Sequence, residues 1–239
     1  ARANGVPYKE VPLDERFRIK TEDYANADGL VVIANPNAPT GLKMSLDEIR
    51  EILRNNTRHP VIIDEAYVDF GAKTCIPLIK EFDNLIVVHT MSKSRNIAGL
   101  HVGYAIAEEE IIGELNDLKN CFNPNNLNQV TLDAAVAAVE DEAYLKTTVE
   151  EKTAVRDDFI DSLQEMNFGV LPSCTNFVFV THPVIPAEKL LRLLYNEAIL
   201  VRYYAQNRID NYLRITIGTK QEMERVTEVL RKILKKAAA

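Results

Sequence analysis

Short apolar runs alternate with polar, helix-patterned stretches through the first half of the chain. Leu30-Val31-Val32-Ile33-Ala34 is compact and β-branched and runs into Asn35-Pro36, which predicts a buried strand ending at a turn. Pro60 to Asp64 and Leu85-Ile86-Val87-Val88-His89-Thr90 repeat the pattern, and Val102 to Ala107 closes the series. Between the first two, Ser45 followed by Glu48 has capping-box spacing and predicts a helix to about Asn55. A short helix is expected from Ile76 to Glu81. Strands that are apolar on both faces and separated by helices predict an α/β fold, with a parallel or mixed sheet covered on both sides.

The second half changes character. Asn128 to Val139 predicts an Ala-rich helix, and Asp141 to about Met166 a long charged helix with apolar positions at the helical period. Strand-like Gly169 to Leu171 and Phe177 to Val180 follow, then a helix from about Ala187 to Glu197. Leu200-Val201-Arg202, the strand-like Tyr212 to Ile217 and a final helix from about Lys220 to Lys235 complete a small α+β unit. Asn120 to Asn128 is rich in Asn and Pro, so the expected division is residues 1–118 and 119–239. Tyr8 to Leu13 also reads as strand-like.

Composition narrows the function classes. With 46% hydrophobic and 26% charged residues the chain is of ordinary globular type. A net charge of -7 argues against nucleic acid or an anionic membrane as the main partner, because both require a basic face. The apolar runs are far too short to cross a bilayer, and no secretory signal pattern opens the sequence. Cys75, Cys121 and Cys174 are an odd number without a C-x-x-C pair, which fits reduced thiols in a cytoplasmic protein. The four histidines lack metal-ligand spacing, so no metal site is expected.

Three polar clusters fall at the ends of consecutive predicted strands, the edge of an open α/β sheet where ligands bind. They are Asn35-Pro36-Asn37-Ala38-Pro39-Thr40-Gly41, Asp64-Glu65-Ala66-Tyr67 and Thr90-Met91-Ser92-Lys93-Ser94. A carboxylate, a phenol, a lysine between hydroxyls and an arginine from a second unit are what a Schiff-base cofactor requires. The amine bonds the cofactor and shuttles a proton, the carboxylate keeps a ring nitrogen protonated, and the phenol tunes a ring oxygen. Hydroxyls in a strand-to-helix turn suit a phosphate.

These clusters, with Ala98-Gly99-Leu100-His101-Val102-Gly103-Tyr104, Leu200-Val201-Arg202, Gln206-Asn207 and Leu213 to Thr219, resemble the histidinol-phosphate aminotransferase family of class-II aminotransferases. The resemblance implies a fold-type I architecture: a mixed, mostly parallel sheet covered by helices, present in part, plus a small α+β C-terminal domain. It implies pyridoxal 5'-phosphate as cofactor. Lys93 would be the catalytic, cofactor-bonding lysine, Asp64 the partner of the pyridine nitrogen, and Tyr67 the partner of the ring oxygen. Thr90 and Ser92 would hold the phosphate. Arg214 would grip the substrate α-carboxylate in a bidentate fork, and Arg202 would face the distal anionic group. Transamination of histidinol phosphate with 2-oxoglutarate in the cytoplasm, by a homodimer, is the implied function. The alternatives are an aromatic amino acid aminotransferase, a threonine-phosphate decarboxylase relative, or a catalytically impaired fragment of such an enzyme.

Two positions depart from the family pattern. Ala38 stands where the family has asparagine, which leaves Asn37 as the candidate cofactor contact there. His101 stands where the family has a phosphate-gripping arginine, and offers one hydrogen bond in place of a charged fork. The family's N-terminal segment has no counterpart in these residues, so an exposed sheet edge and an apolar patch are expected.

Overall fold

The computed structural model describes residues 1–238. Strands β1 (Val31–Ala34), β2 (Val61–Asp64) and β3 (Leu85–Thr90) run parallel in that order, and β4 (Gly103–Ile106) lies antiparallel beside β3. Register is set by which side chains go inward: Val31, Val61 and Leu85 align across the sheet, as do Ile33, Ile63 and Val87, and all six are buried. Helix α1 (Leu46–Arg54) covers one face. Its apolar Ile49, Ile52 and Leu53 are fully buried, and the Ser45–Glu48 capping box satisfies its first N–H groups. The β2–β3 connection is made by two short 3-10 turns, Val68–Phe70 and Ile76–Lys80.

Helices α2 (Glu109–Phe122) and α3 (Gln129–Glu140) lead to α4 (Glu142–Glu165) and the second unit. There β5 (Gly169–Val170), β6 (Phe177–Thr181), β7 (Arg202–Tyr203) and β8 (Leu213–Thr216) form an antiparallel sheet in the order β5-β6-β8-β7. With α4, helices α5 (Ala187–Asn196) and α6 (Lys220–Ala238) close over it. Phe159 and Leu163, Leu190 and Leu194, and Met223 and Leu230 meet Val178, Val180, Leu213 and Ile215 in one core.

The chain forms three features that the apolar pattern does not predict. Helix α2 lies where only a boundary was expected: its Ile112, Leu115 and Leu118 do recur at helical spacing, but none of its residues is buried. The expected division at residues 118–119 falls inside it. Tyr8 to Leu13 is not a strand, because among the described residues no neighbouring strand offers it a ladder. Instead the segment that follows crosses to the second unit. Arg208 donates to the carbonyls of Leu13 (2.8 Å) and Asp14, and Phe17 packs edge-on to Tyr212 at 5.5 Å.

The first sheet is open at both edges. Val32 on β1 is 60% exposed, and three of the four β4 residues are exposed. Leu118, Phe122, Val130 and Val136 make an exposed apolar surface on α2 and α3.

The two units meet at a tight seam. The Cys174 N–H donates to the Gly41 carbonyl at 2.9 Å, and a Cβ on Gly41 would lie 3.1 Å from Ser173 Oγ. Gly41 also has φ +82, which an L side chain resists. Gly41→Ala should therefore cost about 2 kcal/mol through strain and crowding together. Chemical denaturation checks it, and an unchanged midpoint would show that the seam relaxes freely.

Candidate active site

Because β1, β2 and β3 are parallel, the loops after their C-terminal ends emerge on one side of the sheet. After β1, Asn35 is fully buried. Its Oδ1 accepts the Met44 N–H at 2.7 Å, while its Nδ2 has no protein partner. Asn37 fixes the next turn: its N–H donates to the Leu42 carbonyl (2.7 Å), and its Oδ1 accepts the Thr40 hydroxyl (2.8 Å). After β2, the Asp64 carboxylate accepts the Ala66 N–H at 3.0 Å. Tyr67 caps the following 3-10 turn and lies edge-on to Phe177, with ring centroids 5.2 Å apart. After β3 comes Lys93, half-buried between Ser92 and Ser94, its Nζ 5.7 Å from the Tyr67 ring centroid. Thr90 Oγ1 donates to Ser92 Oγ at 3.0 Å and accepts the Ser92 N–H at 3.2 Å, so both hydroxyls sit in one turn. Ser94 on the other side of Lys93 donates to the Asp69 carboxylate.

The second unit adds two arginines. Arg202 on β7 and Arg214 on β8 are directly opposed in the antiparallel register, which places two like charges side by side on one face. Arg202 stacks over Tyr204, and the Arg214 guanidinium lies 5.1 Å from the Phe177 ring centroid. Arg214 Nε is buried without a hydrogen-bond partner. A buried donor nitrogen without an acceptor is costly, and a ligand acceptor reaching it would offset that cost. Burial raises the Tyr67 phenol above its ordinary pKa. Nearby Arg214 pulls the other way, while Tyr204 and Asp64 push it further up. Lys93, Tyr67 and Asp64 from the first unit and Arg214 from the second thus share one region, joined through Phe177.

Not every candidate is drawn in. His101 is exposed, in a left-handed conformation (φ 53) after the 3-10 turn Ala98–Leu100. Among the described residues, no side-chain hydrogen bond ties His101 or Asn37 to Lys93. Other contributors carry no mark in the sequence. Phe177 reads as an ordinary strand residue, and nothing in the sequence marks it as the aromatic between Tyr67 and Arg214. Glu65 follows Asp64 and, by strand alternation, turns to the opposite face. There it is buried, accepting from Thr74 Oγ1 (2.6 Å) and the Cys75 N–H (2.6 Å), with His89 Nε2 at 2.8 Å. His89 Nδ1 in turn lies 3.1 Å from the Tyr104 hydroxyl.

Burial alone would raise the Glu65 carboxyl, but its bonds with His89, Thr74 and Cys75 outweigh that and hold it below the usual range. A carboxyl depressed on folding contributes stability above its unfolded pKa and loses it as pH falls through the folded value. The loss therefore lies below about pH 4.5. Glu65→Gln should be less stable at pH 7 and lose less stability between neutral and acid pH than the parent. Urea midpoints across that range test this, and parallel curves would remove Glu65 from the acid response.

The residue set fits a phosphorylated pyridine aldehyde. An amine stands beside a phenol and a carboxylate, paired hydroxyls occupy a strand-end turn, and an unpaired guanidinium nitrogen is close by.

Comparison with known proteins agrees with this chemistry. Residues 1–230 match the family described as aminotransferase class I and II. The chain is 45% identical over 231 residues to a histidinol-phosphate aminotransferase of Lactococcus lactis, covering 97% of this chain and 64% of that protein. It is 44% identical over 227 residues to one from Acinetobacter baylyi, covering 95% and 63%. Among solved structures, the histidinol-phosphate aminotransferase of Clostridium acetobutylicum superposes with TM-score 0.87 at 26% identity, over 94% of this chain and 70% of that one. A putative histidinol-phosphate aminotransferase from Erwinia carotovora atroseptica gives TM-score 0.89 at 27% identity, over 99% and 70%. The chain thus spans less than two thirds of the length of these curated relatives.

Proposed function

This chain belongs to the class I and II aminotransferase family, and we propose that it carries the lysine, cofactor and carboxylate sites of a histidinol-phosphate:2-oxoglutarate aminotransferase. The observation that carries the reading is the pairing of Arg202 with Arg214 on adjacent strands. Arg214 is left with a buried, unpartnered Nε and is linked through Phe177 and Tyr67 to Lys93. Two opposed cations suit a substrate with an anion at each end, as the amino acceptor 2-oxoglutarate has. The similarity to histidinol-phosphate aminotransferases in two organisms supports the amino donor.

Pyridoxal phosphate, when bound, supplies an electron-withdrawing ring that weakens the Cα–H bond of an amino acid. The chain's own residues do the rest. Lys93 Nζ would hold the cofactor at its aldehyde carbon and, once displaced from it by the substrate amine, would take the proton leaving the substrate Cα. Asp64 would keep the ring nitrogen protonated, and Tyr67 would partner the ring oxygen. The Thr90 and Ser92 hydroxyls would hold the phosphate. Asn37, with its Oδ1 taken by Thr40, offers Nδ2 as a further contact, and His101 offers a ring N–H from its exposed turn. Arg214 orients a carboxylate, and Arg202 receives the distal anion.

In this reading the active protein is a cytoplasmic homodimer acting on small amino and keto acids. Among the described residues, no helix is long and apolar enough to cross a membrane. The test mixes the chain with pyridoxal phosphate, histidinol phosphate and 2-oxoglutarate, and follows glutamate formation and the visible spectrum. Glutamate with histidinol phosphate but not with phenylalanine supports the assignment, and the reverse preference would move it to an aromatic amino acid. A cofactor band without turnover of either would make the chain a catalytically impaired fragment.

A further inference from the structure

Arg156 carries a charge into the seam between the two units. It sits on α4 and is 7% exposed. One terminal nitrogen, Nη1, donates to the Phe70 carbonyl at 2.8 Å and to the Thr175 carbonyl at 3.1 Å, while Nε donates to Asp157 Oδ1 at 2.9 Å. The two carbonyls belong to different units. Phe70 closes the 3-10 turn that Tyr67 caps, its own N–H donating to the Tyr67 carbonyl at 3.2 Å. Thr175 is fully buried two residues before Phe177, and its hydroxyl donates to the Phe177 carbonyl at 3.0 Å. A single guanidinium nitrogen therefore joins the turn that presents Tyr67 to the loop that presents Phe177. Those two rings are the contact through which Lys93 and Arg214 face each other.

Resting on the site reading above, we propose that Arg156 is a positioning residue that sets the separation between the Lys93 side and the Arg214 side of the site. It touches neither cofactor nor substrate. A planar fork suits this task because one nitrogen can hold two carbonyls at fixed angles while Asp157 holds the other end. A backbone bond across the seam, from the Cys174 N–H to the Gly41 carbonyl, adjoins Thr175 in sequence and reports whether the seam is closed there.

The experiment uses the whole chain as Arg156→Met and Arg156→Lys, with Arg214→Gln as control. Three quantities are read: amide exchange at Cys174 against Val61 and Leu171, affinity for pyridoxal phosphate, and affinity for the unreactive dicarboxylate maleate in its presence. Val61 and Leu171 serve because their N–H groups bond within one unit each, to Asn84 and Phe179. In Arg156→Met, exchange at Cys174 should rise about tenfold while the other two amides stay unchanged, since only the seam opens. Maleate affinity should fall about tenfold while cofactor affinity stays within about threefold, and Arg156→Lys should recover part of both changes. A purely structural role predicts equal acceleration at all three amides and parallel loss of both ligands, which would overturn the proposal. So would unchanged Cys174 exchange with unchanged maleate affinity. If Arg156→Met does not fold, the same readouts on Arg156→Lys decide between these outcomes. Maleate binding that survives Arg214→Gln would instead remove the site reading itself, and this proposal with it.

Discussion

Lys93→Ala is expected to abolish the visible absorption band that pyridoxal phosphate forms with the chain and to lower transamination by about 10²–10⁴-fold. The amine is the group in the Asp64, Tyr67 and Thr90–Ser92 cluster able to bond an aldehyde carbon and carry a proton. Its neighbours supply only a carboxylate and hydroxyls. The fold should barely notice the change. Lys93 Nζ engages the Tyr67 ring face, a contact worth about 0.5–1 kcal/mol at a half-exposed position. Absorbance after cofactor addition and exchange of the substrate Cα proton check the first part, and thermal melting checks the second. A band that persists in Lys93→Ala would move the attachment point elsewhere.

Arg214→Met is expected to act in opposite directions on stability and on binding. In the ligand-free chain the substitution removes a buried nitrogen without a partner and relieves the like charge opposed at Arg202. Replacing a half-buried guanidinium that carries an unpartnered nitrogen with an apolar group of similar length should stabilise by about 1 kcal/mol. For a chain of this size that raises Tm by roughly 2–4 °C. Carboxylate affinity should fall about 100-fold, the equivalent of about 3 kcal/mol for two charge-assisted bonds. Melting and maleate titration measured on the same preparations test the pair. A Tm that falls together with affinity would make Arg214 a structural residue whose partner lies within the protein.

These predictions draw unequally on sequence and structure. Lys93, Asp64, Thr90 and Ser92 stand out in the sequence because each follows a β-branched run that can only be a buried strand, and parallel strands bring their ends together. Arg214 is legible for a related reason: a charge inside Leu213-Arg214-Ile215 has to be balanced by something. The opposition of Arg202 to Arg214 is not legible, because the nine residues of loop between β7 and β8 leave the register open. Helix α2 is poorly legible because it buries none of its residues and the Asn-rich stretch beyond it suggests a break.

For the Lys93 cluster, then, the local pattern alone determined the strands, the capped helix α1 and the chemistry at the strand ends, since hydrophobic period and turn residues act over a few positions. Tertiary structure decided what lies between distant segments. It put Phe177 between Tyr67 and Arg214, and brought Phe70 and Thr175 to one guanidinium of Arg156. Each of those contacts depends on how two packed units meet. That meeting is fixed by summed burial across the seam and by the close approach at Gly41, which no single stretch of sequence encodes.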